Sequence, residues 1–181
     1  HWRAAAHRKS GCGDAWVDES TQLRPERYNR SVLDAEKTVQ DFAADGRIGT
    51  VLRFGAFYGP DAIQMPTYIA SMKKGWAALP GDPRAFISSC SHDDAATAVV
   101  HALRAPSGPF NVVDDQPVRR TEFFGSLAQA MHARPPRFPP PWMTPLLGPV
   151  GETVARSLRI SNRAFRAATG RSEERRVGKE C

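Results

Sequence analysis

The run from Tyr28 to Pro60, YNRSVLDAEKTVQDFAADGRIGTVLRFGAFYGP, does most to restrict what this chain can become. Tyr28, Val32, Ala35, Val39 and Phe42 recur at helical spacing, and Gly46 supplies a natural stop. Thr50-Val51-Leu52-Arg53-Phe54 is a short β-type run closed by Gly55, and Tyr58-Gly59-Pro60-Asp61 has turn chemistry. Helix, short joint, buried strand and loop make half of a parallel α/β unit, whose ligands sit beyond the carboxyl end of the strand. An α/β fold is expected.

Tyr28, Ser31 and Glu36, followed by Leu52, Arg53, Tyr58, Gly59 and Pro60, stand in a familiar order. The segment resembles the catalytic helix and following strand of the extended short-chain dehydrogenase/reductases, the NAD(P)-dependent epimerase/dehydratase family. Its pattern there is Tyr-x-x-Ser-Lys, a Glu four residues on, then Leu-Arg-x-x-x-x-Tyr-Gly-Pro. The lysine of that pattern is Val32 here. A free tyrosine titrates near ~10, so proton transfer at neutral pH wants a cation beside it. Valine supplies packing and no charge, and Lys37 lies on roughly the opposite helix face from Tyr28. Taken alone, Tyr28 reads better as a half-buried aromatic with Val32 packed beneath it; eight family positions matched in order favour a diverged catalytic site instead.

The resemblance implies the C-terminal part of a Rossmann-type doubly wound parallel sheet plus a smaller α+β substrate-binding region. Residues 1–64 would be a remnant of the NAD(P)-binding domain. Residues 65–170 would form the substrate region, taking in a late Rossmann strand and helix at 85–104. The cofactor implied is NAD or NADP, with Tyr28 as proton-transfer residue and with Tyr28, Phe54 and Gly55 at the cofactor. Arg53, Ala56 and Tyr58 would face the substrate, a small molecule such as a sugar or another hydroxy or keto compound. Many nucleotide-sugar enzymes of the family carry asparagine where Ala56 stands, and alanine cannot make that hydrogen bond. The family also has a hydroxyl residue upstream; Ser10 is the hydroxyl available, closer to Tyr28 than the family spacing. A homodimer is compatible with the family. The alternative function is a non-catalytic NAD(P)-binding sensor or structural module, for which the missing lysine argues.

Both ends look foreign to this frame. No G-x-G-x-x-G turn is present, although a dinucleotide-binding sheet begins with one, so an N-terminal truncation is expected. After Ala164–Gly170, an ordinary helix end with a glycine cap, the text becomes RSEERRVGKEC. That string reads as the in-frame translation of a common short-read sequencing adapter, so 171–181 is expected to be artefactual and to pack against nothing. A natural charged tail is the alternative.

The formal charge of +6 over 181 residues falls to +5 without that tail and is carried by scattered arginines. Nucleic-acid binding would want a concentrated basic stripe, so no nucleic-acid partner is expected. No run of about 18 apolar residues is present, so no membrane span is expected. Outside the tail stand Cys12 and Cys90, too far apart for a C-x-x-C site. Cys90 should act as a small buried hydrophobe, in keeping with a reduced, cytoplasmic setting.

Asp18, Glu19 and Pro25 fit the family's loop into the catalytic helix. Farther on, TYIASMKKGW suggests a helix ended by Gly75, and Ala85–Cys90 a strand. A helix from Asp93 would turn Ala95, Val99 and Leu103 to one side. His92-Asp93-Asp94 is explained by a helix start without a metal. GPFNVVDDQPV reads as strand and turn, and Phe124, Leu127, Ala128 and Met131 as an amphipathic helix. RPPRFPPPWMTPLLGPVG suits a polyproline connector or a loop over the cleft, with an SH3-type ligand as the alternative. Val150, Val154 and Leu158 suggest a short helix, and Ser161 or Asn162 a cap for the last one.

Overall fold

The computed structural model describes residues 13–21, 31–140, 142–144, 151 and 154–170. Tyr28, Ser10, Pro25, Cys12, Val150 and the 171–181 tail lie outside the described residues. Helix α1 spans Ser31–Ala44 and leads to strand β2, Thr50–Phe54; β1, Trp16–Val17, precedes both. The inward stripe of α1 is Val32, Glu36, Val39 and Ala43. The expected stripe through Ala35 and Phe42 is off by one residue, and both of these are exposed. The cause is Glu36, a polar residue that occupies the buried face because it has a charged partner. Phe42 instead lies under the Arg47 guanidinium, 4.0 Å from its ring centre.

Strand β2 runs parallel to β6 (Gly108–Val112), with Thr50 opposite Gly108 and Phe54 opposite Val112. Alternation then sorts the side chains. Leu52, Phe54, Phe110 and Val112 pack with Ala95 and Ala98 of α3 (His92–Ala102) and Phe165 of α5 (Arg163–Thr169). Arg53 points the other way, to α1. Helices thus cover both faces of the pair. Every residue of β2 is only half-buried, against the expectation of a buried strand, since β6 is its one strand partner among the described residues. Cys90 is fully buried in this core, as its apolar setting suggested.

A second core gathers Tyr58, Met65 and Met72 with Phe123, Phe124 and Leu127. It lies between α2 (Met65–Lys73) and α4 (Arg120–Ala130). Phe124 stands edge-on to Phe123 at 5.3 Å and to Phe138 of the proline-rich stretch at 5.9 Å. That stretch is strapped down, for Ala77 N–H donates to the Arg137 carbonyl and Arg137 N–H to that of Gly75, each at 2.8 Å.

Two further expectations need correction. The single strand over Ala85–Cys90 is two, β4 (Phe86–Ile87) and β5 (Ser89–Ser91). β4 pairs antiparallel with β7 (Val118–Arg119), whereas β5 pairs parallel with β3 (Ala56–Tyr58). The break falls at Ser88, whose hydroxyl donates to Leu158 O at 2.8 Å and accepts from Ile160 N at 2.8 Å. Those bonds tie the break to β8 (Arg159–Ile160), the parallel partner of β1. On α3 the buried residues are Ala95 and Ala98, while Val99 and Leu103 are exposed. Small alanines let the helix lie close on the strands, which a stripe chosen by hydrophobic size misses.

At the last helix Ser161 Oγ accepts from Arg163 N at 3.3 Å, whereas the Asn162 amide turns inward to Val113 O and Asp115 at 2.8 Å each. Gly170 closes that helix with φ 68, a left-handed conformation that glycine adopts without strain. Among the described residues no helix is long and apolar enough to cross a membrane.

Candidate functional site at the carboxyl ends of the parallel strands

Strands β2 and β6 end side by side, and Gly55 N–H extends the pairing by donating to Val112 O at 2.9 Å. One residue later the backbone changes partner: Ala56 N–H donates to Ser88 O at 2.8 Å and β3 continues beside β5. This crossing explains the glycine. A Cβ on Gly55 would lie 2.7 Å from Ser88 O and 2.7 Å from Val113 Cγ1, closer than side-chain carbons approach such atoms. Gly55→Ala is expected to cost ~1–3 kcal/mol of stability, the usual scale for forcing extra volume into a packed junction. Urea midpoints compared at equal m-value measure this. An unchanged midpoint would mean that the two strands part freely.

The serine-rich stretch around this junction is buried and bonded. Ser89 Oγ donates to Asp114 Oδ2 at 2.9 Å, and Asp114 N–H donates to Ser89 O at 2.7 Å. Ser91 caps α3, accepting from Asp94 N at 3.0 Å and donating to Asp94 Oδ2 at 2.8 Å. His92 stacks on Phe57, with 4.8 Å between ring centres and 8° between planes. Among the described residues no three His, Cys, Asp or Glu side chains gather as ligands for a metal.

Arg53 and Glu36 form a two-pronged ion pair beneath the junction, Nε to Oε1 at 2.9 Å and Nη2 to Oε2 at 2.7 Å. Their side chains are 17% and 9% exposed, so the pair is largely shielded from solvent. Lys37, by contrast, pairs with Asp41 on the open face of α1.

The residues expected at the site are thus separated, Arg53 by the strand's alternation and Ala56 and Tyr58 by the change of strand partner at Gly55. Phe54 and Gly55 sit at the carboxyl end, with Phe54 half-buried and 5.7 Å from the Phe57 ring. Arg53 lies on the α1 side. Ala56 and Tyr58 belong to the second core, where Tyr58 is 5% exposed. Tyr28 and Ser10 lie outside the described residues. Sequence reasoning missed the partnership of Arg53 with Glu36, the Ser89–Asp114 link and the His92–Phe57 stack. The signal for the first was present, a glutamate on a helix face one turn from Val32.

The Asp18-Glu19 loop closes the outer edge of β6. Glu19 Oε1 accepts from Asn111 N at 2.7 Å, and Asn111 Nδ2 donates to Ser161 O at 3.2 Å. Among the described residues that edge of β6 has no strand partner, and the loop covers it. The Ser20 hydroxyl, donating to Asp18 at 2.6 Å, holds the exposed Asp18 carboxyl below its usual range.

No model of a known protein family matches this sequence, and no curated protein sequence does. Solved structures do. Human epimerase family protein SDR39U1 (isoform 2), solved with NADPH, is 18% identical with TM-score 0.73, over 99% of this chain and 61% of that one. RMD from Pseudomonas aeruginosa, complexed with NADPH, is 20% identical with TM-score 0.71, over 99% and 61%. UDP-glucuronic acid 4-epimerase from Bacillus cereus, in complex with UDP-glucuronic acid and NAD, is 15% identical with TM-score 0.70, over 99% and 56%. The chain spans about three fifths of the length of these structures. The fold it shares with these structures is a Rossmann-like α/β fold.

Proposed function

We propose that this chain is the catalytic-helix and substrate-binding portion of an NAD(P)-dependent oxidoreductase of the epimerase/dehydratase type. One observation carries the proposal. A helix that follows Tyr28 in sequence is fixed by Glu36 to Arg53 of β2, and β2 leaves through Phe54-Gly55 at the carboxyl ends of two parallel strands. Ligands of open α/β sheets bind at such ends. The matched structures solved with NADPH or NAD support the cofactor class.

The residues present fit the nicotinamide end of such a cofactor. Phe54 offers a half-buried apolar surface, and Gly55, with no side chain, leaves the backbone bare beside it where the strand changes partner. The glycine turn that would hold a pyrophosphate is not in this sequence. When bound, NAD(P) accepts or returns hydride at a carbinol or carbonyl carbon. Tyr28 exchanges the hydroxyl proton of the substrate as general acid or base. Val32 gives it no neighbouring cation. Ala56, packed against the second core, offers no side-chain hydrogen bond to a nucleotide sugar, so a hydroxy or keto compound of another kind is the preferred substrate class. UDP-glucuronic acid in the Bacillus cereus enzyme marks the sugar-nucleotide alternative.

A non-catalytic NAD(P)-binding module is the second reading, favoured by Val32 alone. The longest reading frame containing this chain, incubated with NAD(P) and a panel of secondary alcohols, ketones and sugars, separates the two. Turnover at 340 nm is expected; saturable binding without turnover would establish the module instead.

A further inference from the structure

We propose that a cleft at the outer edge of β6 binds a neutral polyhydroxylated ring, a pyranose or its simple glycoside, apart from the site at Gly55. The cleft measures about 340 Å³, and Trp16, Asp18, Glu19, Ser20 and Arg163 line it. That is room for a small molecule, whose sites span ~300–1,000 Å³. Glu19 reaches Asn111 N on β6, and β2 pairs along the other edge of the same strand, so β6 stands between the cleft and the Gly55 junction. Trp16 forms the apolar wall and is fixed before anything binds. Parallel pairing of β1 with β8 sets Trp16 opposite Arg159. The Arg159 guanidinium lies 4.2 Å from the centre of the Trp16 ring and 4.9 Å from that of Phe86, and its Nη1 donates to Asp14 O at 2.9 Å. A tryptophan left 47% exposed is thus held by a clamped cation on one face, and a platform already in place needs little ordering on binding.

The charges around the platform decide what it takes. An anion would face the carboxylates of Asp18 and Glu19, and a cation would face Arg163 and the Arg159 charge behind the ring, so a neutral ligand is favoured. Its polar groups are set by what the walls leave unused. Asp18 Oδ1 accepts from Ser20 N, Ser20 Oγ and Thr21 Oγ1, and Glu19 Oε1 accepts from Asn111 N. Among the described residues Asp18 Oδ2 and Glu19 Oε2 accept from nothing, and the exposed Arg163 guanidinium donates to nothing. The cleft therefore asks for donors at two carboxylate oxygens and an acceptor at a guanidinium. A hydroxyl is both donor and acceptor and rotates to suit, so hydroxyls set around a ring can answer all three. The C–H face of such a ring lies against an indole face, which carries the negative side of its quadrupole. A nucleobase stacks as well, but its donors and acceptors are fixed along its edges.

The test is binding of the methyl glycosides of glucose, galactose and mannose to the longest reading frame containing this chain, followed by saturation-transfer NMR and calorimetry. At least one should bind saturably with a Kd of ~0.1–10 mM, the range of a small neutral ligand making a few contacts. Trp16→Ala should weaken that binding by about tenfold or more, and Arg163→Ala by about threefold or more. NAD(P) affinity should stay unchanged in both, which separates this cleft from the Gly55 site whether or not the oxidoreductase reading holds. Arg163 is exposed and holds no other element, so Arg163→Ala decides the matter alone if Trp16→Ala does not fold. UDP-glucose, the same ring carried on a diphosphate, and adenosine, a neutral stacking ring, should each bind less tightly than the best glycoside. No saturable binding of any glycoside would overturn the proposal, and so would binding that both variants leave unchanged. Tighter binding of UDP-glucose or adenosine, weakened by the same variants, would overturn it too and make the cleft a nucleotide site.

Discussion

Tyr28→Phe is expected to lower turnover by ~100- to 10,000-fold, the usual contribution of a positioned general acid or base. Fold and NAD(P) affinity should stay nearly intact, because only one hydroxyl is lost. The loss should appear in kcat and kcat/KM alike, since proton transfer belongs to the transition state and not to ground-state binding. Val32 makes the size of the effect informative. It is half-buried on the same face of α1 as Glu36, so this position gives the phenol no cation. Steady-state rates of the two proteins with the same substrate measure the effect. If turnover is unchanged, Tyr28 is structural and the binding-module reading takes the lead.

The units whose chemistry is local were legible before any coordinates. Thr50–Phe54 forms the expected strand, and Gly75 and Gly170 follow the ends of their helices. Of the helix marked by Phe124, Leu127, Ala128 and Met131, the first three are buried and the half-buried Met131 caps its end. Each depends on neighbours a few positions away, which a sequence displays directly. The stripe of α1 was misjudged because the inward position belongs to a glutamate whose partner is 17 residues along, on a strand. The stripe of α3 was misjudged because close approach to β2 and β5 selects alanine over the larger Val99 and Leu103. In both cases tertiary pairing overrode apolar periodicity.

The junction after β2 shows the same division. Gly55 could be read as the end of a strand; that it marks a crossing between Ser88 and Val113 could not, because both contacts come from distant segments. Likewise Ser88, Ser89 and Ser91 look like a polar interruption of an apolar strand. Each hydroxyl is bonded to a different segment, the first to Leu158 and to Ile160 of β8, the second to Asp114 after β6 and the third to Asp94 of α3. A buried hydroxyl is tolerable once its hydrogen bonds are made, so the run is consistent with the core around it.

Arg120 was the residue least visible in the sequence, and replacing it should have the largest effect on stability. It is 1% exposed at the start of α4. Its Nη1 donates to Pro80 O, and Nη2 donates to Val154 O at 2.5 Å and to Arg156 O at 3.1 Å. Gly81 makes room for it, since a Cβ there would come within 3.1 Å of Nη1. One guanidinium thus joins the 80–81 turn to residues 154–156. Two opposing costs bear on the outcome. Burial disfavours the charge and draws its pKa down from the usual arginine range to about 10, with the Tyr68 and Asp82 charges resisting. Removing the side chain strands three carbonyls and leaves a void, at roughly 1–3 kcal/mol for each polar group left unsatisfied. The second term wins while the segments cannot re-pair with water, so Arg120→Ala should lose ~3–5 kcal/mol, and Arg120→Met, which keeps much of the volume, less. The pH dependence fixes the sign. The folded pKa lies below the unfolded one, so the unfolded chain holds the extra proton above about pH 10, and the parent gains stability relative to Arg120→Ala only as pH rises past that value. Urea midpoints of parent and variant should therefore differ by a constant amount from about pH 6 to 9. A difference that vanishes there would show that the cost of burying the charge cancels all three of its hydrogen bonds.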